Sequence, residues 1–241
     1  MTEKNNGEQV LPSARRLIHS LRDVGYEFET AVADLVDNCI EAGASTVRIT
    51  CEFDGLNSWV AIADDGSGMT TDQLLEALRF GSEREYQRDD LGKFGLGLKT
   101  ASLSQCRQLL VASRVSPERA HIRAYRWDLD HVESSDRWEV LETPTDQLPP
   151  VVLNHLKQTR GSVVHWSGLD RVAATRSPDG GGARRLFDSM CRKLEEHLAM
   201  VFHEFLAGTI KGRGLRISLN DEAIAPWDPF CRTEKETKIL S

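Results

Sequence analysis

Residues 91–100 read Leu91-Gly-Lys-Phe-Gly-Leu-Gly-Leu-Lys-Thr100, three glycines (Gly92, Gly95, Gly97) feeding directly into an apolar, helix-forming segment. Glycine lets the backbone approach an anion closely, and a helix N-terminus offers it free N–H groups and the positive end of a dipole. This is the chemistry of holding phosphate. Alone, a G-x-x-G-x-G pattern carries little weight, because glycines punctuate many ordinary loops. Two segments upstream supply what a nucleotide site would still lack.

The first is a helix predicted from about Glu27 to Ala42. Its apolar residues Ala31, Leu35, Cys39 and Ala42 recur at helical spacing, and Gly43 stands where a glycine would end it. Asp34 and Asn38 are four apart and share a face of that helix, flanked by Asp37 and Glu41. An amide oxygen can ligate a hydrated magnesium ion, and a carboxylate one turn away can polarise a water. A solvated acidic helix face is the plainer reading of the same four residues. The second segment is Trp59-Val-Ala-Ile-Ala-Asp-Asp-Gly-Ser-Gly-Met69. Here an apolar strand carries Asp64 to its end, and a glycine turn follows at Gly66 and Gly68. A carboxylate so placed can accept a hydrogen bond from the amino group of a flat base. An ordinary Asp-Gly turn is the alternative.

In this order the three segments, Asp-Leu-Val-Asp-Asn (34–38), Asp-Asp-Gly-Ser-Gly-Met (64–69) and Gly-Lys-Phe-Gly-Leu-Gly-Leu-Lys (92–99), resemble the Bergerat-fold ATPases. That family, GHKL, holds gyrase B subunits, the large cytosolic heat-shock chaperones, sensor histidine kinases and MutL mismatch-repair proteins. Segments 31–44 and 94–102 look most like the microrchidia (MORC) ATPases and their bacterial relatives. Gly161-Ser-Val-Val-His-Trp166 sits where the family has a strand beginning Gly-Thr. The resemblance spans roughly residues 15–170.

The resemblance implies ATP and Mg²⁺ as ligands and assigns roles. Asn38 ligates Mg²⁺, and Asp64 reads the adenine amino group, with Ser162 supporting it through water. Gly66, Gly68 and Met69 shape the base pocket. Gly92, Lys93, Phe94, Gly95, Leu96, Gly97 and Leu98 cradle the phosphates, and Lys99 adds positive charge there. Asp34 stands where the family generally has the glutamate that activates the attacking water. Aspartate keeps the carboxylate but is one methylene shorter, so hydrolysis is expected to be slow while binding is preserved.

The expected fold is a two-layer α/β (α+β) sandwich: a mixed, mainly antiparallel sheet with helices on one face. Residues 1–10 are expected to be disordered, 11–213 to form the ATPase domain, and 214–241 to begin a transducer-like segment. Ser13 is read as the cap of a helix ending near Arg22. Strands are placed at Thr46–Phe53, Trp59–Ala63, Gln108–Val115, Ala120–Trp127, Trp138–Glu142, Gly161–Trp166 and from Leu215. Helices are placed at Thr71–Arg79 and Ala183–Ala207. Phe80–Leu91 is read as a lid with Gly81 and Ser82 near its hinge, Pro144–Pro150 as a turn-rich connection, and Ser177–Gly182 as a flexible connector.

The chain has 241 residues, 40% hydrophobic and 28% charged, enough for one sizeable core. A net charge of −7 argues against a DNA-coating surface, so DNA is a partner that the charge does not support. The Arg184, Arg185, Arg192, Lys193 group is better read as a solvated helix face. No membrane span or signal peptide is expected. Five scattered cysteines without a C-x-x-C pair suit free thiols in a reducing cytoplasm.

The activity expected is Mg-dependent ATP hydrolysis coupled to ATP-dependent homodimerisation, with a transducer, effector domain or partner protein supplied elsewhere. A nucleotide-gated clamp with little hydrolysis is the alternative. A histidine-kinase catalytic domain fits less well, because no helix with a phospho-accepting histidine is evident.

Overall fold

The computed structural model describes residues 12–23, 25–81, 97–116, 121–171, 179–210 and 214–231. Helices α1 (Ala14–Arg22) and α2 (Phe28–Glu41) precede a hairpin of β1 (Thr46–Glu52) and β2 (Trp59–Asp64), joined by a 3-10 turn at Gly55–Asn57. Helices α3 (Thr71–Leu78) and α4 (Gly97–Leu103) follow, then β3 (Gln108–Arg114), β4 (Arg123–Asp128), α5 (Leu129–Ser135) and β5 (Leu141–Glu142). The chain continues through α6 (Pro150–Gln158), β6 (Gly161–Ser167), α7 (Gly181–Val201), α8 (His203–Leu206), β7 (Arg216–Leu219) and β8 (Glu222–Ala223). The expected disorder of residues 1–10 and the expected lid beyond Gly81 lie outside the described residues.

Local chemistry accounts for the element that matters most. In α2, Phe28, Ala31, Val32, Leu35, Val36 and Cys39 form one buried face. The helix stops in a paired cap: Ala44 N–H donates to the Cys39 carbonyl and Gly43 N–H to that of Ile40. At α1, the Ser13 hydroxyl accepts from Arg16 N–H as an N-cap.

The strands form one sheet in the order β5-β4-β3-β6-β2-β1-β7-β8. Every pairing is antiparallel except β1 with β7, which is parallel and sets Thr46 against Arg216. Alternation along β2 sends Val60 and Ile62 to one face, where they meet α2, and Ala61 and Ala63 to the other. The mixed, mainly antiparallel sheet matches the expected class, but helices do not keep to one face. Val152 and Leu156 of α6 pack on Ala61, Ala63, Leu110 and Val163, covering the second face. Helix α6 runs on from the turn-rich connection expected at Pro144–Pro150 and shares only Pro150 with it. Its start signal was Pro150 at the first helical position, which the preceding Pro149 obscured.

Other differences are local. A short helix, α5, stands between the expected strands; the Asp128 side chain caps it by accepting from Asp130 and His131 N–H. The long helix ends at Val201 because Phe202, itself buried, leaves helical geometry before α8 begins. Gly181 and Gly182 belong to the first turn of α7 instead of a connector. The segment 214–241, expected to open a second unit, begins as β7 and β8 of this same sheet. Among the described residues, no helix is long and apolar enough to cross a membrane.

Candidate functional site

The site lies where α2 packs over the C-terminal end of β2. Asp64 continues the helix-facing alternation of Val60 and Ile62 and is only 5% exposed. Its Oδ1 accepts from Gly66 N–H at 2.8 Å, and Ser162 N–H and the Cys39 thiol also donate to the carboxylate. Burial dominates nonetheless and raises the Asp64 pKa to about 6. Next door, Asp65 behaves oppositely. Burial pushes it up, but hydrogen bonds from the Ser45 hydroxyl and from Ser45 and Thr46 N–H outweigh that and lower it. Asp65 is thus a structural clasp at the start of β1, and Asp64 is the carboxylate facing the helix.

Three contacts fix Asp64 from behind. His155, on α6, donates from Nε2 to the Asp64 carbonyl at 2.8 Å. Gly161 has φ +127° and leaves no room for a side chain, since a Cβ would lie 2.0 Å from that same carbonyl oxygen. Gly66 is also tightly packed, a Cβ there falling 2.9 Å from Asp64 Oδ1 and 2.8 Å from the Ala42 carbonyl oxygen at the end of α2. The floor beside Asp64 is a hydroxyl pair. Ser113 Oγ lies 2.9 Å from Ser162 Oγ, donates to the Gly161 carbonyl and accepts from Met69 N–H at 2.7 Å. Gly68 completes this turn with φ +68° against the Arg114 carbonyl.

On α2, Asn38 is exposed and Asp34 half-buried one turn before it. Burial raises the Asp34 pKa, opposed by a hydrogen bond from the Tyr26 hydroxyl. Asp37, between them, is raised to about 6 by burial and by the charges of Asp34 and Glu41. Among the described residues no group of three or more His, Cys, Asp or Glu could hold a metal. The exposed Asn38 amide oxygen, one turn from the Asp34 carboxylate, is a hard donor of the kind Mg²⁺ takes beside its waters and substrate phosphates.

Gly97, Leu98 and Lys99 open α4, with Gly97 exposed and open space where its Cβ would be. Gly92, Lys93, Phe94, Gly95 and Leu96 lie outside the described residues. Lys99 is placed differently from the expectation that its charge joins the phosphate loop. It is 2% exposed, its ammonium donates to the Ala77 carbonyl at 2.9 Å, and it lies 5.9 Å from the Phe80 ring centre. Burial lowers its pKa to about 8, so it remains mainly charged at pH 7 and satisfies a carbonyl at the end of α3.

The structure thus groups Asp64, Gly66, Gly68, Met69 and Ser162 around the C-terminal end of β2, and Cys39 links Asp64 to α2, the helix that also carries Asp34 and Asn38. Sequence reasoning missed Tyr26, Ser113 and His155 and took Cys39 only as an apolar face residue. The spacing of an isolated hydroxyl or imidazole signals nothing until its partner is known.

Residues 26–161, more than half of the chain, match the family model described as Histidine kinase-, DNA gyrase B-, and HSP90-like ATPase. The ATPase morc-1 of Caenorhabditis elegans is 32% identical over 87 residues, 35% of this chain and 10% of that protein. The DNA mismatch repair protein MutL of Paramagnetospirillum magneticum is 25% identical over 189 residues, 71% of this chain and 30% of that protein. The chain therefore spans less than a third of the length of these relatives. A solved N-terminal domain of a DNA repair protein overlays with TM-score 0.49 and 19% identity, covering 86% of this chain and 51% of that one, a likeness too loose to argue from.

Proposed function

Because this chain belongs to the histidine kinase-, DNA gyrase B- and HSP90-like ATPase family, we propose that it binds ATP with Mg²⁺, hydrolyses it slowly, and dimerises when ATP is bound. The observation that carries the reading is the Cys39–Asp64 hydrogen bond. It seats the residue after Asn38 against the base-reading carboxylate, so one helix spans both ends of a nucleotide. In this reading Asp64 accepts from the adenine amino group, with Ser162 and Ser113 beneath it. Gly66, Gly68 and Met69 shape the base slot. Gly92 to Leu98 approach the phosphates through backbone N–H groups, and Asn38 holds Mg²⁺ by its side-chain oxygen. The metal, when bound, neutralises charge on the phosphates. Asp34 orients and polarises the attacking water, its burial making it a stronger base than a solvated carboxylate. A nucleotide-gated clamp with little turnover remains the second reading, favoured by the short reach of Asp34. Phosphate release from ATP, measured beside the mass of the species formed with and without ATP, separates the two.

Asp64→Asn is expected to weaken ATP roughly ten- to a hundredfold, the worth of one hydrogen bond to a charged group, about 1.5–3 kcal/mol. Titration gives the sign of the pH effect. With a folded pKa of about 6, Asp64 is an anion at pH 7 and largely protonated at pH 5, so affinity should fall as pH drops through 6. The ratio of wild-type to Asp64→Asn affinity removes the titration of ATP itself, and calorimetry at pH 5, 6 and 7 should show that ratio shrinking. The raised pKa also means the folded chain without nucleotide is destabilised as pH rises through 6, so Asp64→Asn should hold or raise Tm at pH 7. Unchanged ATP affinity in the mutant would sink the assignment.

Asn38→Ala should remove the Mg²⁺-dependent part of ATP binding and leave Tm unchanged, since Asn38 is exposed. Equal loss with Mg²⁺ and with chelator would count against the ligand role.

A further inference from the structure

Two cysteines distant in sequence meet across the core. Cys51 lies on the helix-facing side of β1 and is 6% exposed. Cys191 lies on α7, half-buried and packed against the same core. One rung along, Phe53 (two residues on in the strand) and Phe187 (one turn back in the helix) have ring centres 5.6 Å apart, so β1 and α7 touch through two successive pairs. The two thiols are hydrogen-bonded to each other. Elsewhere, Cys39 gives its hydrogen bond to Asp64, and Cys106 gives its own to the Ser102 carbonyl.

We propose that Cys51 and Cys191 form a dithiol that a hydroperoxide oxidises to a disulfide tying α7 to β1. The reactivity is divided between the two sulfurs. The mutual hydrogen bond lowers the pKa of Cys191, with burial and Asp188 opposing and Arg192 assisting. The same bond, then burial, pushes Cys51 well up. Cys191 is also the half-buried sulfur of the pair and Cys51 the almost fully buried one, so a peroxide reaches Cys191 first. The Cys191 thiolate attacks one peroxide oxygen, the O–O bond breaks, and the other oxygen leaves with a proton as water or alcohol. This gives the sulfenic acid. The Cys51 sulfur then attacks the Cys191 sulfur, the S–O bond breaks, and hydroxide leaves as water with the Cys51 proton. Two thiols lose two electrons, and the peroxide gains them.

Closing the bond brings the sulfurs to about 2.05 Å and pulls α7 toward the sheet. It also restrains a loop running from 51 to 191 in the unfolded chain. The test is treatment of the reduced protein with hydrogen peroxide, followed by alkylation and non-reducing peptide mass spectrometry. The expected product is a Cys51–Cys191 cross-linked peptide pair and a Tm higher by roughly 5–10 °C, reversed by dithiothreitol. Cys191→Ser should abolish both. Cys51→Ala, which keeps the buried site apolar, removes both the bond that favours the Cys191 thiolate and the resolving sulfur, so Cys191 should oxidise more slowly and accumulate as a sulfenic acid captured by dimedone. Over-oxidation of Cys191 in the wild type with Cys51 still reduced would overturn the proposal. So would cross-linking only between chains through the exposed Cys231, or a chain left reduced while free cysteine is consumed. None of these readouts depends on nucleotide.

Discussion

Asp34→Asn is expected to keep ATP bound while lowering single-turnover hydrolysis by roughly a hundredfold or more, the usual scale for losing a general base. The amide keeps the shape of the side chain and its place on α2 but cannot accept a proton. Binding should hold or tighten slightly, because a like charge near the terminal phosphate is removed. The environment supports this division of labour. Asp34 is half-buried, which raises its pKa, and the Tyr26 hydroxyl donates to it, which limits that rise. The carboxylate is thereby made more basic than one in water. Asp34→Glu restores the reach of the family glutamate and is expected to match or exceed the wild-type rate. The decisive experiment is single-turnover hydrolysis by the three proteins with ATP affinity measured for each. Equal rates for wild type and Asp34→Asn would remove Asp34 as the base. If none of the three hydrolyses ATP while all bind it, the clamp is the better reading.

Gly161→Ala carries the second large effect, and it acts on the fold and the site together. At φ +127° any L side chain is strained, and the added Cβ would lie 2.0 Å from the Asp64 carbonyl oxygen and 3.1 Å from its Oδ1. Neither neighbour can yield cheaply. The carbonyl is backbone and accepts from His155, and the carboxylate is pinned by Gly66 N–H. We expect a loss of about 3 kcal/mol or more, seen as a Tm lower by roughly 6–12 °C. In whatever fraction folds, ATP affinity should fall at least tenfold, because Asp64 must shift to make room. Gly182→Ala is the matched control: its Cβ meets nothing within 4 Å and it sits in α7, so the change should be neutral or mildly stabilising. Scanning calorimetry and ATP titration on both variants check this, and a Gly161→Ala protein as stable as wild type would refute the close packing.

The oxidation proposed for Cys51 and Cys191 bears on the same helices. Helix α7 packs on α2, which carries Asp34 and Asn38. ATP affinity measured before and after peroxide treatment therefore reports how far the staple is felt at the nucleotide site.

The motifs were legible because each is local. The helical spacing of Ala31, Leu35 and Cys39 predicts α2, and the glycine at 43 its end. The run from Trp59 predicts a strand delivering Asp64, and most other strands lie within a few residues of where periodicity puts them. The order of the three motifs resembles one family, to which the match over residues 26–161 assigns the chain. What the sequence determined by itself is thus the family and the class of sheet.

Tertiary structure alone decided how those residues are held. Asp64 and Asp65 are chemically identical neighbours, and only the pleat of β2 turns one toward α2 and the other toward Ser45. Ser113 and His155 gain their roles from partners 49 and 91 residues away, which no local pattern encodes. Lys99 reads as a phosphate ligand beside its glycines, yet its ammonium donates to the Ala77 carbonyl, a partner that a buried cation needs. Helix α6 covers the second face only because the alternation of β2, β3 and β6 leaves apolar side chains there that must leave water. Local chemistry sets which residues can act. Long-range packing sets the direction each one faces, since burial and hydrogen-bond satisfaction are properties of the assembled layers and not of any segment.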